Sequence, residues 1–206
     1  ITCHTSQHFT CLIHSDDLQY LPYKYIHFDS PDERGIDVAL LYNSTIFNPI
    51  EFKAIPIIVY DSKKIRDYTR DILYVKGTLN GELTHIFVNH WPSKRTGIDE
   101  TRVKRIQIAK LIHEKINCIE EKNPKIIIMG DFNDNPNEES IQNHLVKNNL
   151  KNPMLDLYNK GLGASKFYGK WMLFDQIILS DNFFQSNLEG HQFMEAHIFN
   201  DPFLTN

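Results

Sequence analysis

The residues best suited to chemistry sit where apolar runs stop. Lys125-Ile126-Ile127-Ile128-Met129 ends in Gly130-Asp131-Phe132-Asn133-Asp134, so an apolar strand delivers carboxylate and amide side chains at its carboxyl end. That placement suits polar chemistry at the rim of a sheet, although Gly, Asn and Asp also gather in turns for backbone reasons alone. A second run, Thr84-His85-Ile86-Phe87-Val88, leads into Asn89-His90-Trp91-Pro92-Ser93 and is stopped by the proline. Asn89, His90 and Ser93 thus reach a rim from a second strand, and His90 supplies a group that can exchange a proton near neutral pH. A histidine beside a tryptophan is more often packed than catalytic, but two strands delivering polar ends raise the functional reading. Asp37 enters the apolar run 36–42 and Asp175 sits in the run 171–180, and an acid carried into a buried strand needs a partner.

The surrounding pattern predicts a layered sheet. Asn80-Gly81 joins the run 69–75 to the run 83–89 as a tight antiparallel hairpin. Residues 55–60 read as a further strand, with 61–67 a charged loop, and residues 18–28 as an extended segment carrying aromatics. Residues 98–121 predict a helix with Val103, Ile106, Ile108, Leu111, Ile112 and Ile116 on its apolar face and Lys104, Lys110, Glu114 and Lys115 opposite. Lys94, Arg95, Arg102, Lys104 and Arg105 form the densest basic stretch, which could meet phosphate, while a solvated helix face accounts for most of it. Asn137 is placed to cap a second helix through Val146, and residues 191–199 read as one more strand. The loop 161–169 is rich in Gly and Ser but lacks phosphate-loop spacing.

Composition sets outer bounds. The 206 residues, 41% hydrophobic, suffice for one domain with a full core, so residues 1–206 are expected to form a single unit with 1–20 poorly patterned. A formal net charge of -4 supplies no global basic field, so any nucleic-acid role needs a local patch. Cys3, Cys11 and Cys118 are odd in number and lack metal spacing, which argues against a disulfide framework and a zinc site. No apolar stretch approaches the roughly 18 residues of a spanning helix, and no signal peptide is visible, so a soluble chain is expected, cytoplasmic or secreted.

Gly130-Asp131-Phe132-Asn133, Asn89-His90-Trp91-Pro92-Ser93, Tyr68-Thr69-Arg70-Asp71 and Phe174-Asp175-Gln176-Ile177-Ile178 stand in an order that resembles the endonuclease/exonuclease/phosphatase superfamily of deoxyribonuclease I-like enzymes. The similarity runs from about Tyr25 to Ser180. The resemblance implies an α/β fold, a four-layer αββα sandwich, incomplete here, and metal-assisted hydrolysis of a phosphodiester or phosphomonoester with Mg²⁺ or Mn²⁺. It implies that Asp131 orients or deprotonates the attacking water and that Asn133 binds the phosphate or, with Asp131, the metal. His90 would contact the phosphate or act in acid-base chemistry, and Arg70 would bind a phosphate oxygen. Asp175 would orient a second catalytic histidine, and Asp37, Asn89 and Ser93 would play supporting parts. The substrate would be a phosphate ester, with nucleic acid one of several classes.

The departures matter too. The family's early Asn, its Gln-Glu pair with the principal metal-binding Glu, and its closing Ser-Asp-His are not visible, and Ser180-Asp181-Asn182 follows the Asp175 strand too early to stand for the last. His191 and His197 match that histidine by residue type only. The expectation is a fragment of a longer phosphoesterase, weakly active or inactive; the alternative is a degenerate module on the same fold that binds a phosphate ligand or a protein.

Overall fold

Side chains along a strand alternate between two faces, and in this chain each face of the central sheet is covered by a different layer. The computed structural model describes residues 2–3, 20–186 and 189–199. In chain order the first strands are β1 (Thr2–Cys3), β2 (Tyr23–His27), β3 (Asp37–Asn43), β4 (Phe47–Ile55), β5 (Val59–Tyr60), β6 (Arg66–Asp67), β7 (Ile72–Leu79) and β8 (Glu82–His90). Helix α1 (Ile98–Asn117), β9 (Lys125–Asp131), a π-helical turn (Ser140–Leu145), β10 (Leu150–Lys151) and helix α2 (Met154–Asn159) follow. The described order closes with β11 (Ser165–Phe167), β12 (Lys170–Met172) and β13 (Asp175–Ser180).

Six strands form the main sheet in the order β10-β13-β9-β8-β7-β4, and three form a second in the order β1-β3-β2. On one face of the main sheet, Ile72, Tyr74, Phe87, Ile126, Ile128 and Ile178 pack with Ile108, Ala109 and Ile112 of α1 and with Ile141 and Leu145. On the other, Leu73, Val75, Ile86 and Val88 meet Ile26, Val38 and Leu40 of the second sheet. These are three of the four layers of an αββα sandwich; among the described residues no helix covers the outer face of the second sheet. The three-stranded layer covers the main sheet only in part, so Ile127 and Met129 are half-buried and Ile177 is 46% exposed. Among the described residues no helix is long and apolar enough to cross a membrane.

The Asn80-Gly81 hairpin forms as expected, with both residues at positive φ (46° and 87°), the geometry of a two-residue turn that matches strand twist. Elsewhere the boundaries move for physical reasons. The strand expected at 55–60 is interrupted by Pro56 and survives only as Val59–Tyr60, whereas β4 occupies 47–55. β4 is an edge strand with a bulge at Pro49, and its mostly exposed residues give no apolar period to read. The expected strand 171–180 is split, because the amide of Phe132 donates to the carbonyl of Phe174 and the amide of Leu173 to Oδ1 of Asn135. Residues 191–199 form no strand, and Asn137 caps no α-helix. The segment 1–17 lies outside the described residues except for Thr2–Cys3, which pair with β3.

Helix α1 differs most in its buried face, which is Thr101, Lys104, Arg105, Ile108, Ala109, Ile112 and His113, with Val103 turned out. Its first half packs over polar loops, not strands. Lys104 is buried between Asp67 (2.9 Å) and Glu100 (3.0 Å). Arg105, with no exposed surface, donates from Nε to Asp134 Oδ2 at 2.6 Å and from Nη1 to the carbonyl of Pro92 at 3.1 Å. Asp134 also accepts from Ser140 and lies 3.0 Å from Lys94 Nζ. One guanidinium therefore ties the loop after β8 to the loop after β9. Arg105→Met leaves buried Asp134 with only Ser140 and Lys94 and frees the Pro92 carbonyl, and is expected to lower the unfolding free energy in urea by about 3 kcal/mol; replacing Asp134 with Leu in the same chain should restore part of that loss.

Candidate active site

Register places the candidate residues side by side. β8 and β9 run parallel with His90 opposite Asp131, and β13 runs antiparallel to β9 with Asp175 opposite Asp131. The three side chains form one row across three strand ends, on the face toward the second sheet, because they share the parity of Val88, Met129 and Ile177. The neighbouring row, one residue back, is structural. Asn89 donates to the carbonyl of Phe87 (3.0 Å) and accepts from Trp91 Nε1 (3.1 Å), while Gln176 donates to the carbonyls of Asp134 (2.6 Å) and Leu173 (2.9 Å). Between them Gly130 stands at φ 133°, and a Cβ there would lie 1.9 Å from the Asn89 carbonyl oxygen, so only glycine fits.

Beyond the row, Asn133 adopts the left-handed region (φ 51°), which asparagine tolerates. Its amide N–H donates to Oδ1 of Asp131 at 2.8 Å, and its Nδ2 donates to the carbonyl of Trp91 at 2.8 Å. Arg70 donates to that same carbonyl at 2.6 Å and to Asp32 at 3.0 Å. Arg70 is 2% exposed, so it serves as a strut under the site before it can serve as a phosphate ligand. Ser93 lines a neighbouring cleft of about 240 Å³ with Arg34, Arg70 and Arg95.

The electrostatics follow from burial and neighbours. His90 Nε2 lies 3.7 Å from Asp131 Oδ2, and its Nδ1 is buried without a hydrogen-bond partner. Desolvation, reinforced by the positive charges of Arg70 and Arg34, pushes the His90 pKa down to about 3, so the ring is neutral at neutral pH. Asp131 is raised above the ordinary carboxylate range by desolvation and by the charge of Asp175, despite its hydrogen bond from Asn133. Asp175 opens to solvent, yet the protein around it desolvates the carboxylate enough to raise it as well. Arg70 is lowered by burial, against the raising effect of Asp32.

The remaining expectations are redirected. Asp37 does not support His90: its carboxylate accepts from the Ser30 amide (2.7 Å) and lies 3.2 Å from His27 Nε2. Asn89 turns into the helix-side core and not toward the row. No described histidine meets Asp175, since His191 binds Glu82 at the start of β8, the far end of the sheet, and His197 pairs with exposed Glu195. Sequence reading missed Asp32, His27 and the Arg105–Asp134 pair. Asp32 was hidden in a polar turn, but a buried Arg70 demands an anion, and that demand is the signal that could have found it. His27, Asp29 and Asp37 also offer ligand atoms within 4.8 Å of one another.

A model of the Endonuclease/Exonuclease/phosphatase family matches residues 4–206. The fold is similar to that of humanized D. rerio TDP2, with a TM-score of 0.60, 14% identity, and 84% of this chain and 66% of that chain covered. It is also similar to the human Nocturnin catalytic domain solved with a sulfate anion (TM-score 0.56, 18% identity, 81% and 63% covered). A third similar structure is a Bacteroides thetaiotaomicron mannosyl-6-phosphatase (TM-score 0.55, 18% identity, 77% and 63% covered). The chain thus spans just under two thirds of the length of these proteins. No curated protein matches.

Two outcomes test these electrostatics. Folded His90 takes a proton only near pH 3, so between about 6.5 and that value the unfolded chain binds one more proton and stability is lost as the pH is lowered. Unfolding free energy should therefore drop more steeply on acidification in the wild type than in His90→Gln, by up to about 1.4 kcal/mol per pH unit. Asp131 has the opposite sign, because its raised pKa means the ionised form opposes folding at neutral pH. Asp131→Asn should raise Tm by about 3 °C in a thermal melt.

Proposed function

Because the chain belongs to the Endonuclease/Exonuclease/phosphatase family, we propose that it is, as a single domain, a metal-dependent phosphoesterase of nuclease-like type. The observation that carries this reading is the row His90, Asp131 and Asp175, aligned across three adjacent strand ends with Asn133 beside it. The row combines a neutral imidazole, a carboxylate pair and an amide, the groups that position a water against a phosphorus atom and hold the oxygens around it.

In this reading Asp131 orients or deprotonates the attacking water through Oδ2, since Oδ1 is occupied by the Asn133 amide. His90, neutral and fixed at the end of β8, hydrogen-bonds a phosphoryl oxygen or exchanges a proton with it. Asn133 donates to another oxygen through the second N–H of its Nδ2, the first being committed to the Trp91 carbonyl. Arg70 is assigned a positioning role, fixing the Trp91 peptide and keeping His90 neutral by its charge. Asp175 maintains the raised pKa of Asp131.

A divalent cation fits this donor set. Asp131 and Asp175 are adjacent and raised in pKa, and the nearest guanidinium, Arg70, is already bound to Asp32. Asp131 and the Asn133 amide oxygen would hold the ion, hard oxygen donors of the kind Mg²⁺ or Mn²⁺ takes. When bound, it would supply positive charge to the phosphoryl oxygens and lower the pKa of a water.

The test is hydrolysis of bis(p-nitrophenyl) phosphate and of plasmid DNA with Mg²⁺, Mn²⁺ or chelator, by this chain and by a longer chain carrying its flanking coding sequence. Cleavage should disappear with chelator and fall by about 10²–10⁴ in Asp131→Ala. A folded protein that cleaves neither substrate with either metal would sink the reading.

A further inference from the structure

We propose that the β11–β12 hairpin is a base-stacking platform that holds a single-stranded nucleic acid beside the Asp131–Asp175 row; the proposal rests on the phosphoesterase reading above. Residues 160–172 contain Lys160, Lys166 and Lys170, the aromatics Phe167, Tyr168 and Trp171, and no acid. Folding would ordinarily take such rings out of water, yet Phe167 is 62% exposed, Tyr168 92% and Trp171 47%. Register puts Phe167 with Lys170 on one face of the hairpin and Trp171 with Lys166 on the other, so each face offers an exposed ring beside an ammonium group.

The rings are held on a defined frame. Tyr168 and Gly169 both lie at positive φ (45° and 78°), giving a two-residue turn, with Phe167 paired to Lys170 and Lys166 to Trp171. A tyrosine in the left-handed region is an unfavourable choice for a turn, so its presence at the tip points to a use for the ring. Phe167 and Tyr168 meet edge to face at 4.4 Å between centroids, and Lys166 Nζ sits 5.4 Å from the Trp171 ring centre.

The hairpin is also rooted in the candidate site. Met172 Sδ lies 3.5 Å from Asn135 Nδ2, Leu173 donates to Asn135, and Phe174 accepts from Phe132 inside the Gly-Asp-Phe-Asn segment. Asp175 comes four residues after Trp171. The hairpin is thus continuous in sequence with Asp175 and hydrogen-bonded to the segment that carries Asp131.

The chemistry selects the occupant. Every nucleobase offers a π-face to a ring regardless of sequence, and the lysine paired with each ring can neutralise the phosphates linking those bases. A lipid surface fits less well, because Lys166 and Lys170 flank the tip and insertion of the rings would carry both ammonium groups below the headgroups. A small sugar phosphate would leave most of this surface unused.

Of the two tryptophans, Trp91 is fully buried and Trp171 is exposed, so fluorescence quenching reports on the hairpin. The whole chain is titrated in chelator with a single-stranded oligothymidylate, with an abasic deoxyribose-phosphate oligomer of equal length, and with vesicles of phosphatidylcholine and phosphatidylserine. Quenching by oligothymidylate is expected, with binding weakened about tenfold or more for the abasic oligomer and for Tyr168→Ala or Trp171→Ala read by anisotropy. Equal binding of the abasic oligomer, quenching by vesicles alone, or no quenching by any ligand overturns the platform. Hydrolysis of the small diester by the unaltered protein is scored separately. Ring-dependent binding without that hydrolysis supports the platform and removes the phosphoesterase reading instead.

Discussion

The pair formed by Arg105 and Asp134 is the constraint on which the rest of the rim depends. Both side chains are essentially removed from water, and the same guanidinium also holds the Pro92 carbonyl. Burying two charges is costly, and an apolar pair of equal volume would often be as stable. What an apolar pair cannot do is bind Asp134 and Pro92 at once and so fix the loop after β8 relative to the loop after β9. Those loops carry the groups around the row, and the Trp91 peptide between them finishes the job. Its N–H donates to the Asp131 carbonyl, and its carbonyl accepts from Arg70 and Asn133. Stability is given up for position.

Strand periodicity then divides labour. Because successive residues face opposite sides, the residues that bind structure (Asn89, Gln176) and those free to meet a ligand (His90, Asp131, Asp175) alternate along the same three strands. The structural row needs close contact, and the missing side chain at Gly130 permits it. The outer row is held open by the same geometry, with Asp131 exposed enough to reach solvent and His90 nearly enclosed. Burial lowers His90 and raises both carboxylates, so each group in the row is pushed toward its neutral form.

Much of this was legible in sequence where one physical rule governed the outcome. Apolar runs stopped by Gly130 and Pro92 located both strand ends, and Asn80-Gly81 gave the hairpin that sets their neighbours. The pairing of Asp131 with Asp175 was not legible, because register is a tertiary fact that depends on which strands meet. Arg105 and Lys104 were read as solvated because charged residues usually are; only the packing of α1 over polar loops turned them inward. β4 was missed because an exposed edge strand has no buried face to impose a period. Residues 165–169 read as part of a Gly-Ser-rich loop because the short strand 165–167 has no buried face to impose a period.

Charge around the rim completes the argument. Arg70 is bound to Asp32, Arg34 to the same carboxylate, and Arg105 and Lys94 to Asp134. The cations closest to the row are thus matched with structural acids, and the acids left over are Asp131 and Asp175, both with raised pKa. A phosphate ester approaching them alone would meet like charge at short range, an arrangement that opposes binding in a partly desolvated site. In the proposed reading a divalent cation held at the row would offset that charge. Charge on the exposed lysines of the hairpin is screened over about 8–10 Å and would not offset the two carboxylates at contact. In the proposed reading the hairpin would serve capture at a distance, and neutralisation at contact would fall to a cation held by Asp131 and Asn133.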